Sequence, residues 1–183
     1  MVITFTCTPY AVNCKHMKPL LSEAVIHRRL AQLALQIDED YRGTSIVLLG
    51  VLKGSIMLMA DLSRLLSSDL RIEWVTLSSY GNDTVSSGSI RIVHDLDADI
   101  RDRHVLIIED IVDSGLTLGW LLAKMRERRP ASIEACVLLR KPHARGTDVR
   151  YLGFDIPDEF VIGYGMDYAE KYRNLKSVYV LEQ

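Results

Sequence analysis

Residues 105–117 read VLIIEDIVDSGLT, and the way this stretch divides decides how the chain is built. Val105, Leu106, Ile107 and Ile108 form a short, uninterrupted apolar run rich in β-branched side chains, the pattern of a strand covered on both faces in a parallel sheet. Glu109 and Asp110 follow where that strand should end, so their charge falls at a sheet's carboxyl edge, where open α/β folds place ligands. Asp113-Ser114-Gly115-Leu116-Thr117 then combines a glycine, which admits close backbone approach, with two hydroxyls. Leu118, Leu121, Leu122 and Met125 fall at helical spacing, so the free amides and positive end of a helix point back into this loop. That arrangement suits a phosphate group.

Taken alone, Asp113 and Ser114 also read as helix caps, and Glu109 and Asp110 as a solvated strand end. The adjoining carboxylates argue otherwise. A loop built only to hold an anion gains nothing from nearby negative charge, unless a divalent metal such as Mg²⁺ accompanies the phosphate. No G-x-x-x-x-G-K-[ST] loop and no strand-linked G-x-G-x-x-G is present, and Gly163-Tyr164-Gly165 is too short a fragment to count as one.

The stretch resembles the phosphoribosyl pyrophosphate (PRPP) motif of type I phosphoribosyltransferases: a hydrophobic run, two acidic residues, two hydrophobics, then Asp-Ser/Thr-Gly-x-Thr. Three further stretches are similar to segments of the hypoxanthine-guanine branch of that family, and they come in the family's order. Residues 51–55, VLKGS, follow a short apolar strand at residues 46–49 and resemble its pyrophosphate loop, which implies Leu52, Lys53 and Gly54 as pyrophosphate contacts. In that branch the peptide before the lysine is often cis. By itself, Lys53 reads as a solvated lysine in a strand-to-helix turn.

Residues 78–82, SSYGN, open a polar stretch reaching roughly to Arg91, too long for a simple hairpin. They resemble the family's mobile active-site loop, with Ser79 and Tyr80 at the matching positions on the pyrophosphate side. Lys141 follows a buried strand at residues 132–139, and the resemblance implies that it donates to the purine's exocyclic oxygen. Residues 154–168, FDIPDEFVIGYGMDY, are similar to the purine-binding segment. The resemblance makes Phe160 the ring over the base, Val161 a backbone contact, Met166 a lining residue, and Asp167 a partner of the metal or of the base edge. Arg173 matches an arginine that contacts pyrophosphate.

The fold so implied is α/β, a mainly parallel central sheet flanked by helices, with a small hood partly built from the terminal segments. The whole chain, residues 1–183, reads as one phosphoribosyltransferase domain in which residues 1–19 are unassigned. The implied reaction joins a 6-oxopurine to PRPP, giving IMP or GMP and pyrophosphate. Asp113 is its candidate general acid/base, Asp113 to Thr117 cradle the 5′-phosphate, and Glu109 and Asp110 face the ribose hydroxyls. Mg²⁺ is the implied cofactor, with Glu109, Asp110 and Asp167 as its candidate ligands. Preference among hypoxanthine, guanine and xanthine is not legible in the residues.

Composition sets the remaining bounds. At 183 residues, 48% hydrophobic and 25% charged, the chain is long enough for a sizeable core. A net charge of −2 gives no general reason for nucleic acid or an anionic membrane as partner. No run reaches transmembrane length and no signal peptide is evident. Cys7, Cys14 and Cys136 show no metal-ligand spacing, and their odd number argues against a disulfide framework, so a reduced, cytoplasmic setting is expected. The family resemblance implies a homo-oligomer, a dimer or tetramer. Two rivals stay open: a nucleotide-sensing regulator that keeps the PRPP loop without catalysis, and an enzyme acting on xanthine or a pyrimidine.

Overall fold

The computed structural model describes residues 17–80 and 89–182. A short strand β1 (Met17–Leu21) leads into α1 (Glu23–Asp40), whose start is fixed by Ser22, the side chain of which accepts from the Val25 amide. Ile26, Leu30, Leu33, Ala34 and Ile37 are its buried stripe, at the spacing its apolar residues predict. Then come β2 (Ser45–Leu52), α2 (Ile56–Leu65), β3 (Asp69–Tyr80), β4 (Ser89–His94) and β5 (His104–Val112). After α3 (Leu116–Arg126) the chain forms β6 (Ser132–Arg140), β7 (Tyr151–Asp155), β8 (Val161–Ile162) and β9 (Val178–Leu181).

Six strands form one sheet in the order β4-β3-β2-β5-β6-β7. All neighbours are parallel except β3 with β4. This is the mainly parallel α/β sheet the sequence implies. From β2 the chain moves outward to β3 and β4, and from β5 it moves the other way, to β6 and β7. The strand order therefore reverses between β2 and β5, and the crevice outside their carboxyl ends is where such a sheet takes a ligand. β1, β9 and β8 make a separate three-stranded antiparallel sheet drawn from both ends of the chain.

Apolar side chains fill both faces of the large sheet. On one face Leu106 and Ile108 pack with α1, α2 and the small sheet; on the other Val105 and Ile107 pack with α3. Cys136 is free and buried in the first of these layers.

Two boundaries differ from the sequence reading. β5 does not stop at Ile108 but runs through the acidic pair, because Glu109, Ile111 and Val112 pair with Val137, Leu139 and Arg140 of β6. The polar stretch after Leu77 is in part a hairpin, since Ser78, Ser79 and Tyr80 pair with Arg91, Ile90 and Ser89. Ile90 and Ile92 alternate with polar neighbours there, the period-2 signal of a strand. The loop tip, residues 81–88, lies outside the described residues. Among the described residues no helix is long and apolar enough to cross a membrane.

Candidate active site at the carboxyl edge of the sheet

The loop after β5 is shaped by Gly115, which caps α3 with φ 83°. A Cβ there would lie 2.0 Å from Thr147 Oγ1, so both the backbone angle and the space demand glycine. Gly115 makes no side-chain cap, and Ser114 Oγ accepts only a long 3.4 Å contact from the Leu116 amide. The first-turn amides of α3 consequently face a cleft of about 140 Å³ lined by Glu109, Val112, Asp113, Ser114, Gly115 and Thr117. Leu116 itself is exposed at its edge. Backbone donors, hydroxyls and a helix N-terminus around a small hollow form an anion cradle.

A second cleft, of about 210 Å³, opens beside it and is lined by Asp110, Asp113, Lys141, Phe160, Val161, Met166 and Asp167, with Ile111. Its members come from the end of β5 and the loop after it, from the residue after β6, and from β8 with its flanking loops. The Lys141 amide donates to Val112 O (2.9 Å), which locks the end of β6 to the end of β5. The Lys141 ammonium lies 3.3 Å from Asp113 and 3.4 Å from Asp158. Asp113 does not cap the helix; its carboxylate is turned to this lysine. Phe160 remains exposed on one side and meets Tyr168 edge-on, with centroids 5.9 Å apart.

The loop after β2 closes the constellation. The Leu52-Lys53 peptide is cis. A Cβ on Gly54 would lie 2.0 Å from Asp110 Oδ2, and one on Gly165 would lie 1.9 Å from Gly54 O. Gly54 is thus wedged between the acidic strand end and the turn of residues 163–166, and three stretches far apart in sequence are held at van der Waals distance. That turn is itself fixed from behind. The Tyr164 and Gly165 amides donate to Leu175 O and Arg173 O, and Arg173 Nη1 donates to Gly165 O. Tyr164 donates its hydroxyl to Asp61 of α2 (2.6 Å).

Side-chain alternation along β5 separates two residues that stand next to each other in sequence. Glu109 joins the α3 side and lines the smaller cleft, whereas Asp110 faces Gly54 and lines the larger one with Asp167. Burial pushes the Glu109 carboxyl well above the usual range, and the nearby Asp110 charge adds to it. Burial also pushes Asp110, 8% exposed, up to about 6, while backbone amides and Arg173 pull it back. Among the described residues no three acidic, histidine or cysteine side chains gather as a metal cage. The donor set nevertheless fits Mg²⁺: hard carboxylate oxygens in pairs, which hold this ion together with substrate phosphates and water.

Lys53 and Arg173 face the same edge, and both contact Glu170, at 2.8 and 3.5 Å. Arg173 also pairs with Asp167 at 2.7 Å, while its Nε is buried without a hydrogen-bond partner. Ser79 and Tyr80 end β3 at this edge. Glu170, Asp158 and Thr147 were not singled out from the sequence. Glu170 meets Lys53 across 117 positions, a pairing that no local pattern announces. Asp158 does lie inside the FDIPDEF stretch.

Larger hollows lack this convergence. The one beside the end of α1, about 520 Å³, presents Asp40, Arg150 and Tyr151, but these already satisfy one another, at 3.1 Å and 2.7 Å.

The strand-order reversal carries an anion cradle on one side and an aromatic, lysine-bearing cleft on the other, and residues 18–169 match the phosphoribosyl transferase domain. The chain belongs to the phosphoribosyltransferase family. Within that family it is similar to hypoxanthine-guanine phosphoribosyltransferases. It shares 47% identity over 171 residues with that of Mycobacterium avium, covering 89% of this chain and 84% of the relative. With that of Bacillus subtilis it shares 45% over 167 residues, covering 90% and 93%. Among solved structures, the hypoxanthine phosphoribosyltransferase of Staphylococcus aureus superposes with a TM-score of 0.90 at 39% identity, covering 96% of each chain. The hypoxanthine-guanine enzyme of Bacillus anthracis superposes with 0.86 at 42%, covering 91% of this chain and 99% of that one.

Proposed function

We propose that this chain is a purine-salvage enzyme that transfers the 5-phosphoribosyl group of PRPP to hypoxanthine or guanine, giving IMP or GMP and pyrophosphate. One observation carries the reading: Asp113 belongs to both clefts, so a group held on the α3 amides and a base lying against Phe160 meet at a single carboxylate.

In this reading the amides and hydroxyls of Asp113, Ser114, Gly115, Leu116 and Thr117 hold the 5′-phosphate. Glu109 and Asp110 face the ribose hydroxyls from the two faces of β5. Lys53, with the Leu52 and Gly54 backbone, takes the pyrophosphate together with Arg173, Ser79 and Tyr80. Phe160 covers the base, Val161 meets it through its backbone, and Met166 lines the pocket. Lys141 donates to the 6-oxo group, an oxygen that adenine lacks, so adenine would leave one N–H of the mostly covered ammonium without an acceptor.

The transition state at the anomeric carbon carries ribosyl-cation character, so the chain's work is alignment, charge compensation and exclusion of water. Asp113 handles the proton at the imidazole side of the base. Asp110 and Asp167, which share a cleft, would hold Mg²⁺, with Glu109 on the sugar side, and the ion would supply positive charge against the pyrophosphate. A homo-oligomer in a reduced, cytoplasmic setting completes the proposal.

Pyrophosphate release with PRPP and Mg²⁺, measured in parallel against hypoxanthine, guanine, xanthine, adenine and uracil, tests it. Turnover with hypoxanthine or guanine that chelation abolishes supports the reading. Silence with all five from folded protein that still binds PRPP overturns it in favour of a nucleotide-sensing regulator.

A further inference from the structure

Lys141 is only 13% exposed, and its ammonium is divided between two long ion pairs, a 3.3 Å hydrogen bond to Asp113 and a 3.4 Å contact with Asp158. Two other pairs at this edge, Arg173 with Asp167 and Lys53 with Glu170, approach to 2.7 and 2.8 Å, and Arg173 with Glu170 stands at 3.5 Å. The ammonium is therefore shared between two carboxylates that arrive from different loops. Asp158 is held in turn by His143 Nε2 at 2.8 Å. His143 is placed there by the 3-10 turn Pro142–Ala144, which directly follows Lys141 and is closed by the Ala144 amide donating to Lys141 O at 3.1 Å. The hydrogen bond from His143, and then that from Lys141, keeps the Asp158 carboxyl below the ordinary carboxylate range.

We propose that Asp158, braced by His143, is a positioning residue for Lys141 that keeps its ammonium from closing onto Asp113 and presents it to the incoming base. The proposal rests on reading the 210 Å³ cleft as the base site. An ammonium has three N–H donors. With one directed to Asp113 and one to Asp158, the third is left for the oxo group. Without Asp158 the carboxylate partner that remains among the described residues is Asp113, and a cation in a partly covered site moves toward it. A tighter pair carries the ammonium away from the base's oxygen and occupies the carboxylate that takes its proton.

The test is steady-state kinetics of wild type, Asp158→Asn, Asp158→Glu, His143→Ala and His143→Gln, varying hypoxanthine and PRPP separately, with thermal unfolding of each. Asp158→Asn is expected to lower kcat/KM for the base by about 10-fold or more, the order expected when a polar partner is lost. KM for PRPP should stay within about twofold, because the anion cradle is untouched. Asp158→Glu should recover part of the loss, and His143→Gln, which keeps a donor, should exceed His143→Ala. Wild-type turnover with unchanged base kinetics in Asp158→Asn overturns the positioning role and leaves the enzyme reading standing. Equal losses toward both substrates, together with a lowered Tm, overturn it in favour of a merely structural contact. A wild type that turns over no base overturns both.

Discussion

Replacing Gly54 by alanine asks how tightly the three loops depend on one another. The added Cβ would lie 2.0, 2.5 and 2.7 Å from the carboxyl atoms of Asp110, against the 3.4 Å and more of an ordinary contact. Gly54 does not adopt a positive φ, so the effect is steric rather than conformational. Neither side can yield freely: Asp110 is 8% exposed, and Gly54 O already sits where a Cβ of Gly165 would stand. The loop or the acidic strand end must therefore move by more than an ångström.

Overpacking of this kind costs about 1–3 kcal/mol. For a chain of this size each kcal/mol lowers Tm by about 2–4 °C, so a fall of roughly 2–12 °C is expected. Misplacing binding groups by about 1 Å costs ~100-fold in rate, so kcat/KM for PRPP should fall by about two orders of magnitude. Thermal unfolding and initial-rate kinetics read the two effects. Gly119→Ala is the internal control: nothing lies within 4 Å of its Cβ, and it sits inside α3. It should raise stability by about 1 kcal/mol through helix propensity, with activity unchanged. Gly54→Ala with wild-type Tm and kcat/KM would refute the interlock.

Asp113→Asn should reduce turnover by about 10²–10⁴-fold while KM for PRPP changes little, as removal of a general acid/base does; an unchanged kcat would take Asp113 out of the mechanism. Mg²⁺ with pyrophosphate should stabilise the protein by about 2.7 kcal/mol at ~100-fold over Kd, and pyrophosphate with a chelator by far less, read as a Tm shift. Asp40 is held below its ordinary value of 3.8 chiefly by the Tyr151 hydroxyl and then by Arg150. A depressed carboxylate stabilises the fold above its unfolded pKa and loses that contribution as pH falls through its folded value. Asp40→Asn should accordingly cost about 1 kcal/mol near pH 7, with the gap to wild type closing below about pH 4 in urea melts. A gap that does not vary with pH would contradict the assignment.

The parallel sheet was legible because its central strands are continuous apolar runs and its carboxyl ends carry residue types that only a ligand edge explains. Residues 105–108 and 132–139 announce themselves in this way. Less legible was where a strand stops. Apolar content suggested that β5 ends at Ile108, whereas backbone pairing with β6 carries it to Val112. That extension matters for the site, since it sends Glu109 and Asp110 to opposite faces instead of side by side. The short β1 is likewise fixed by its partners around Leu181 rather than by its own pattern, whereas the period-2 signal of β4 at Ile90 and Ile92 is short and sits inside a polar stretch. Within the site, Asp113, Lys141, Phe160, Val161, Met166 and Asp167 line one cleft. Asp158 and Glu170 escaped notice because their importance lies in whom they touch, and a lysine's choice between two carboxylates is decided only by tertiary placement.

In the proposed reading a nucleotide spans both clefts, and a crystal structure of the protein with IMP would show whether it does. The phosphate is predicted on the amides of residues 113–117, with the base against Phe160 and its 6-oxo group toward Lys141. Nucleotide density elsewhere on the protein, or a phosphate in the cradle with the base turned away from Phe160 and Lys141, would contradict the account.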